Sequence, residues 1–279
     1  MKPHYLKLGI GALVGLFAIS ACKKDKDNKP GNPNHLISAI HLDGALLDSF
    51  TYNDKRQLTQ LFHLDGHIQF EYDASGRCVC VKYYELGTTL TGKDTLVYSG
   101  RDFTIYTEDD DDPFELDNGR VYKVGNDGIT LAGSKDTVVS STDRKRLNYI
   151  ETTYSGGNPL TNKTVDYLAI PTSGYVSSQT TTLTYRYDNK PNGLRWIFQH
   201  NPYAGYLLNH VIFPSPVFSG GKNNFTGFKY EDVTTSYTDV MDYVAVNTYD
   251  PASGFLAAQE IKAGNSVETT LTYHYRVVE

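Results

Sequence analysis

Phe70-Glu71-Tyr72-Asp73-Ala74-Ser75-Gly76-Arg77-Cys78-Val79 is the stretch whose reading decides the fold. Successive side chains on a strand point to opposite faces, so Ile68, Phe70 and Tyr72 share one face. Asp bonds its own backbone and Gly takes positive φ without steric cost, so Asp73 to Gly76 reads as a corner. With Tyr72 opposite Arg77, the register predicts Phe70 facing Val79 and Ile68 facing Val81. His67, Gln69, Glu71, Cys78 and Cys80 then point the other way.

The pattern recurs. Phe50-Thr51-Tyr52-Asn53-Asp54-Lys55-Arg56-Gln57-Leu58 has the same form. Weaker copies are Phe114 to Val121, Tyr185 to Lys190 and Asn247-Thr248-Tyr249-Asp250-Pro251-Ala252-Ser253-Gly254-Phe255. Composition agrees: 279 residues hold 22 Tyr, 12 Phe and 28 Thr against 2 Met, which suits pleated surfaces better than helices. The expectation is an all-β domain from His35 to Glu279, an antiparallel meander of hairpins. It should form a strongly curved sheet or open half-barrel, since a long sheet twists and must protect its edges. One short helix is expected at Tyr203 to Val211, packed in the concave side. Gly156-Gly157 is a possible division into two β subdomains.

Met1 to Ala21 reads as an export signal. Lys2 and Lys7 precede an uncharged run, Leu8 to Ser20, that is too short to span a bilayer. Ile19-Ser20-Ala21-Cys22 resembles a bacterial lipobox. The resemblance implies cleavage before Cys22, multiple acylation there and a cell-envelope location, most simply the outer membrane. Residues 22–34 are charged and rich in Pro, Gly and Asn, so they read as a flexible tether.

Tyr185-Arg186-Tyr187-Asp188-Asn189-Lys190-Pro191-Asn192 resembles the signature of uncharacterised Bacteroidota lipoproteins with YD-type repeats. Asn223-Asn224 and Tyr249 to Phe255 match two further features of that family. Gly193 departs from the pattern, standing where the family usually has a second proline, and that bears on how rigid the turn is. What the resemblance implies is an exported, all-β lipoprotein; it supplies no catalytic residues.

Candidate chemistry is sparse. With 26 basic and 32 acidic side chains the chain carries −6, without the basic stripe of a nucleic-acid binder. Only three cysteines exclude a disulfide-dense scaffold. The acid run offers Glu108, Asp109, Asp111 and Asp112 to a hard cation such as Ca²⁺, or simply makes a solvated hairpin tip. Cys78 and Cys80, on one face with His67, are the makings of a metal site, or else small buried apolar side chains. Trp196, Tyr187, Tyr203 and Tyr206 form an aromatic group that either meets a ligand or fills the core. Asp94-Thr95 and Asp136-Thr137 resemble short O-glycosylation acceptors. Hydrolase and nucleotide-binding motifs are absent, so no catalytic residue and no cofactor are assigned. The resulting expectation is a membrane-anchored lipoprotein acting as a non-catalytic binding or envelope-structural module, its partner a glycan or an envelope protein. Alternatives are a cell-surface polysaccharide hydrolase and a lipid or lipoprotein carrier with an apolar cavity.

Overall fold

The structure is a computed structural model, and it describes residues 34–63, 66–85, 89–108, 119–128, 131–135, 139–140, 145–208 and 221–277. The first strands are β1 (His35–Leu42), β2 (Ala45–Tyr52), β3 (Leu58–His63), β4 (Gly66–Tyr72) and β5 (Cys78–Tyr84). They are followed by β6 (Leu90–Ser99), β7 (Asp102–Glu108), β8 (Arg120–Val124), β9 (Leu131–Lys135) and the two-residue β10 (Val139–Ser140). Three long strands come next, β11 (Lys145–Ser155), β12 (Asn158–Ile170) and β13 (Tyr175–Pro191). Helices α1 (Arg195–His200) and α2 (Pro202–Leu207) precede β14 (Asn223–Thr234), β15 (Thr238–Tyr249), β16 (Leu256–Ala263) and β17 (Ser266–Val277).

Each strand pairs antiparallel with its neighbours, and the sheet closes. β9 pairs with β11, while β10 adds a short bridge to the same edge of β11. β17 returns to β1, with His35 opposite Val277 and Leu42 opposite Leu271. Strands β1–β9 and β11–β17 therefore form a closed ring of sixteen. The expected half-barrel is corrected to a barrel: closure removes the unpaired N–H and C=O groups that an open sheet leaves at its edges. Gly156 (φ 60°) and Gly157 (φ 85°) make a two-residue hairpin turn between Ser155 and Asn158. That geometry is the favoured link between twisted antiparallel strands.

The corners at Asp73 and Asp250 are turns as expected. The Asp73 carboxylate accepts from Ser75 and from the Arg77 backbone and side chain. The Tyr185 to Lys190 copy is not a hairpin; it is the end of β13. The Phe70 hairpin needs a register correction. Tyr72 pairs with Cys78 and Glu71 with Cys80, leaving Val79 as an extra residue, so Phe70 faces Val81 and Ile68 faces Tyr83. This bulge reverses the alternation along β5.

The helices sit inside the barrel and begin earlier than expected. Asn201 caps α2 by accepting from the Ala204 N–H at 3.1 Å, and Pro202 occupies its first turn. Residues 209–211 of the expected helix lie outside the described residues. Ile197, Phe198, Tyr203, Ala204, Leu207 and Leu208 are buried against inward side chains such as Ile37, Phe50, Ile68 and Phe103. The outer surface is mixed, with Val97, Tyr106, Val240, Val244 and Val246 exposed among charged side chains. Lys82–Glu71, Lys93–Glu108, Lys123–Asp102, Arg186–Asp242, Lys229–Glu231 and Lys262–Glu260 form ion pairs around the circumference, at 2.5–3.0 Å.

Candidate functional site

The barrel has two unlike rims. At the helix rim β1 begins and β13 feeds α1; at the far rim lie the β1–β2, β12–β13 and β14–β15 turns. The segment that enters the barrel at the helix rim is tied by amides. Asn192 donates to Gly221 O and accepts from the Leu194 N–H, Asn223 donates to Lys190 O, and Asn224 donates to Pro191 O. Asp188 accepts from Asn247 and from the Tyr249 hydroxyl. Gln259, fully buried, donates to Asn247 Oδ1 at 2.8 Å and lies within 3.4 Å of the Tyr273 hydroxyl. The cavity left among Asn192, Asn224, Gln259 and Tyr273 is about 10 Å³, room for roughly one water. The Asp188, Asn192 and Asn223-Asn224 positions thus fasten the chain where it leaves the sheet. Gly193 belongs to the same joint: a Cβ there would lie 2.8 Å from the Tyr275 ring and 3.1 Å from Phe255.

Toward the far rim, one wall of the lumen is polar. Arg120, buried on β8, donates to Ser134 Oγ at 3.0 Å and to Asn148 Oδ1 at 2.5 Å. Asn148 donates to Asp166, which stands in register opposite Gln179. Gln179 Nε2 then reaches both oxygens of buried Asp232, at 3.1 and 2.9 Å. Thr181 donates to the same carboxylate at 3.1 Å and Tyr237 at 3.3 Å. Asp239 stands opposite Asp232 on β15. The Tyr230 hydroxyl is held above its ordinary pKa, first by burial and then by Asp232, Tyr237 and Asp239. This run of donors and acceptors was missed in the sequence because its members are scattered over seven strands, β8, β9 and β11 to β15. The only local signal is that alternate positions of β12 and β13 are Asn, Thr, Asp and Gln where a packed strand carries Val, Ile or Leu.

Two other inward carboxylates are met differently. Asp94 accepts from the hydroxyls of Tyr83 (2.5 Å), Tyr203 (2.7 Å) and Thr107 (2.7 Å). Burial, reinforced by Tyr83 and Asp94, holds the Tyr203 hydroxyl well above its ordinary pKa. Asp48 lies fully buried, 2.8 Å from His63 Nδ1, and its second oxygen has no hydrogen-bond partner among the described residues.

Of the expected site residues, Tyr203 is in the core with its hydroxyl on Asp94. Trp196 is half-buried on α1 and Tyr187 half-buried at the end of β13, where its ring lies 6.3 Å from Tyr185. The side chain of Tyr206 lies outside the description, as do Cys22, Asp109, Asp111, Asp112 and Asp136-Thr137. Glu108 is exposed and paired with Lys93, and no group of three metal-ligating side chains occurs among the described residues. The expected common face of Cys78, Cys80 and His67 does not form. The Val79 bulge turns Cys78 inward, where burial pushes its thiol up to about 12, while Cys80 faces out among Glu71, Lys82 and Lys93. His67 instead stacks between Phe62 and Tyr84. Asp94 of the Asp94-Thr95 motif is buried.

No family model and no curated sequence matches the chain. Among solved structures, a porin-like protein from Bacteroides vulgatus aligns with 86% of this chain and 98% of its own, at 9% identity and a TM-score of 0.34. A porin-like protein from Bacteroides uniformis aligns with 88% of this chain and 98% of its own, at 13% identity and a TM-score of 0.31. Likenesses this low carry no weight beside the barrel's own geometry.

Proposed function

We propose that the chain is an exported, lipid-tethered barrel that stands in water and binds a ligand, without catalysis, through the far rim of its lumen. The observation that carries this reading is the polarity of the wall. A membrane barrel turns an unbroken apolar band about 25 Å tall outward and polar residues inward. Here ion pairs lie around the outside and the helices bury an apolar core within. In the β11–β12 sector Glu151 stands opposite Lys163, continuing the charged belt. Each Lys or Arg placed at a bilayer midplane costs about 2–4 kcal/mol, and each Asp or Glu less, so such a surface belongs in water.

Membrane attachment then falls to Cys22. The tether of residues 22–34 leads into β1 at the helix rim, so the far rim faces away from the anchor. The lipid-carrier alternative needs an apolar cavity, but Phe198, Tyr203, Leu207 and Leu208 occupy the apolar part of the lumen. The test compares the full chain with Cys22→Ser in a lipoprotein-competent bacterial host. The parent should incorporate labelled palmitate and sediment with membranes. The variant should be released as a detergent-free monomer that gives no conductance steps in a planar bilayer. Channel steps, or a variant that still needs detergent, would overturn the reading.

A further inference from the structure

We infer that the polar inner wall of β11–β15 is a binding site for a neutral, hydroxyl-rich ligand, a saccharide held by the side chains of Asp166, Gln179, Asp232 and Asp239. This rests on the proposed role as a lumenal binding module and adds the class of ligand.

The first support is the asymmetry of the lumen. On β1–β7 the inward positions are mostly apolar, as in Ile40, Phe50, Leu61, Phe70, Leu96 and Ile105, and the helices cover them. On the opposite wall the inward positions include Asn148, Asn162, Asp166, Gln179, Asp232 and Asp239, aligned by strand register. Polar groups inside a protein cost free energy unless satisfied, and a wall with only a packing role is better made of apolar residues.

The second support is unused capacity. Among the described residues, Asp166 spends one oxygen on Asn148 and has no partner for the other, and the Asp239 carboxylate has none. Asp239 is exposed, as are Tyr237 (56%) and Met241 (37%) beside it on the β14–β15 hairpin. Carboxylates that accept, next to amides and a guanidinium that donate, match hydroxyls, which do both. The rings of Tyr230 and Tyr237 add apolar faces of the kind on which a sugar ring can lie. Charge narrows the choice further. Three carboxylates face Arg120 and Arg146 along this wall, which opposes an anionic ligand, and an apolar ligand would leave the wall's polar groups unpaired.

The experiment uses titration calorimetry on the Cys22→Ser chain. Malto-, cello-, manno- and xylohexaose serve as neutral probes, an oligogalacturonate as an acidic probe and a fatty acid as an apolar one. At least one neutral probe should bind saturably. Asp166→Asn and Asp239→Asn, which keep side-chain size, should each weaken it about tenfold, while the outward Asp242→Asn should leave it unchanged. Circular dichroism of each variant confirms that the barrel is intact. Should no neutral probe bind, or should binding ignore both inward variants, the inference is overturned. If instead the acidic or the apolar probe binds and weakens in those variants, the ligand class is wrong and the binding-module reading stands. Conductance in the earlier experiment would sink that reading independently.

Discussion

Gly193 shows how one missing methyl shapes this protein. The chain leaves β13 and dives into the lumen between Phe255 and Tyr275, whose rings approach within the space a Cβ would need. A side chain there forces rings or backbone to shift, and overpacking of this kind costs about 1–3 kcal/mol. Gly193→Ala is therefore expected to lower the urea midpoint of the Cys22→Ser chain, whereas Gly44→Ala, at an open turn, should strain only its own positive φ. Asp48 makes a prediction with a definite sign. Burial raises its carboxyl pKa and the His63 contact opposes that rise. The folded state then holds the proton more tightly than the unfolded chain does. Its contribution to stability is complete below the unfolded value of 3.8 and is lost as pH rises through the folded value. Asp48→Asn removes the titration while keeping the shape. The stability of the parent minus that of the variant should fall as pH rises above the unfolded value of 3.8 in paired denaturation series. A flat difference would show that folding leaves the proton's hold unchanged, and a climbing one that the charged form is favoured; either would overturn the prediction.

At the scale of elements, the hairpin corners were legible because their chemistry is local: Asp73 and Asp250 close their turns with bonds to neighbours two to four residues on. The bulge at Val79 was not legible. Nothing in Cys78-Val79-Cys80 distinguishes a regular strand from one with an extra residue, and the choice is made by the need to turn both Cys78 and Val81 onto the core. The Tyr185 to Lys190 copy misled for the complementary reason. Its aromatic–Asp–Asn pattern is that of a corner, yet Asp188 bonds Asn247 and Tyr249 some sixty residues away, and the turn is displaced into the helices. Those helices are short, with no length of their own to sustain them, so tertiary burial holds them. Phe198, 1% exposed and packed against Gly205, anchors the pair. Phe198→Ala is expected to cost about 3–5 kcal/mol by calorimetry or urea denaturation. The loss should appear in one transition with the barrel if the helices are part of its core. An early, separate transition would mean that they form an independent insert.

For the whole molecule, closure is the feature the sequence could least announce. Nearly every strand pairs with the next one along the chain, and those pairings carry turn signals; β1 with β17 carries none, because its partners stand at opposite ends of the described chain. The polar wall is hidden for the same reason, since Asp166, Gln179 and Asp232 become neighbours only when three strands are in register. Closure nevertheless has a direct consequence for connectivity. His35 and Val277 are paired residues on adjacent strands, so the two ends of the barrel meet at the helix rim. A short Gly/Ser linker between residues 277 and 34 replaces a non-local pairing by a hairpin. New ends can then be opened at Gly156-Gly157, a two-residue turn in which Gly156 is exposed and Gly157 is half-buried with its carbonyl accepting from the Lys222 N–H, and where the Cβ positions are free or in ordinary contact. Loop-closure entropy changes slowly with length, so the exchange should alter stability by only about 1 kcal/mol. The permutant is expected to keep the parent far-UV spectrum and a urea midpoint close to the parent's, as is usual when neighbouring termini are joined. An open half-barrel would behave otherwise, because the linker would drag two free edges together across a gap. A permutant that loses its β spectrum or aggregates would therefore count against the ring itself.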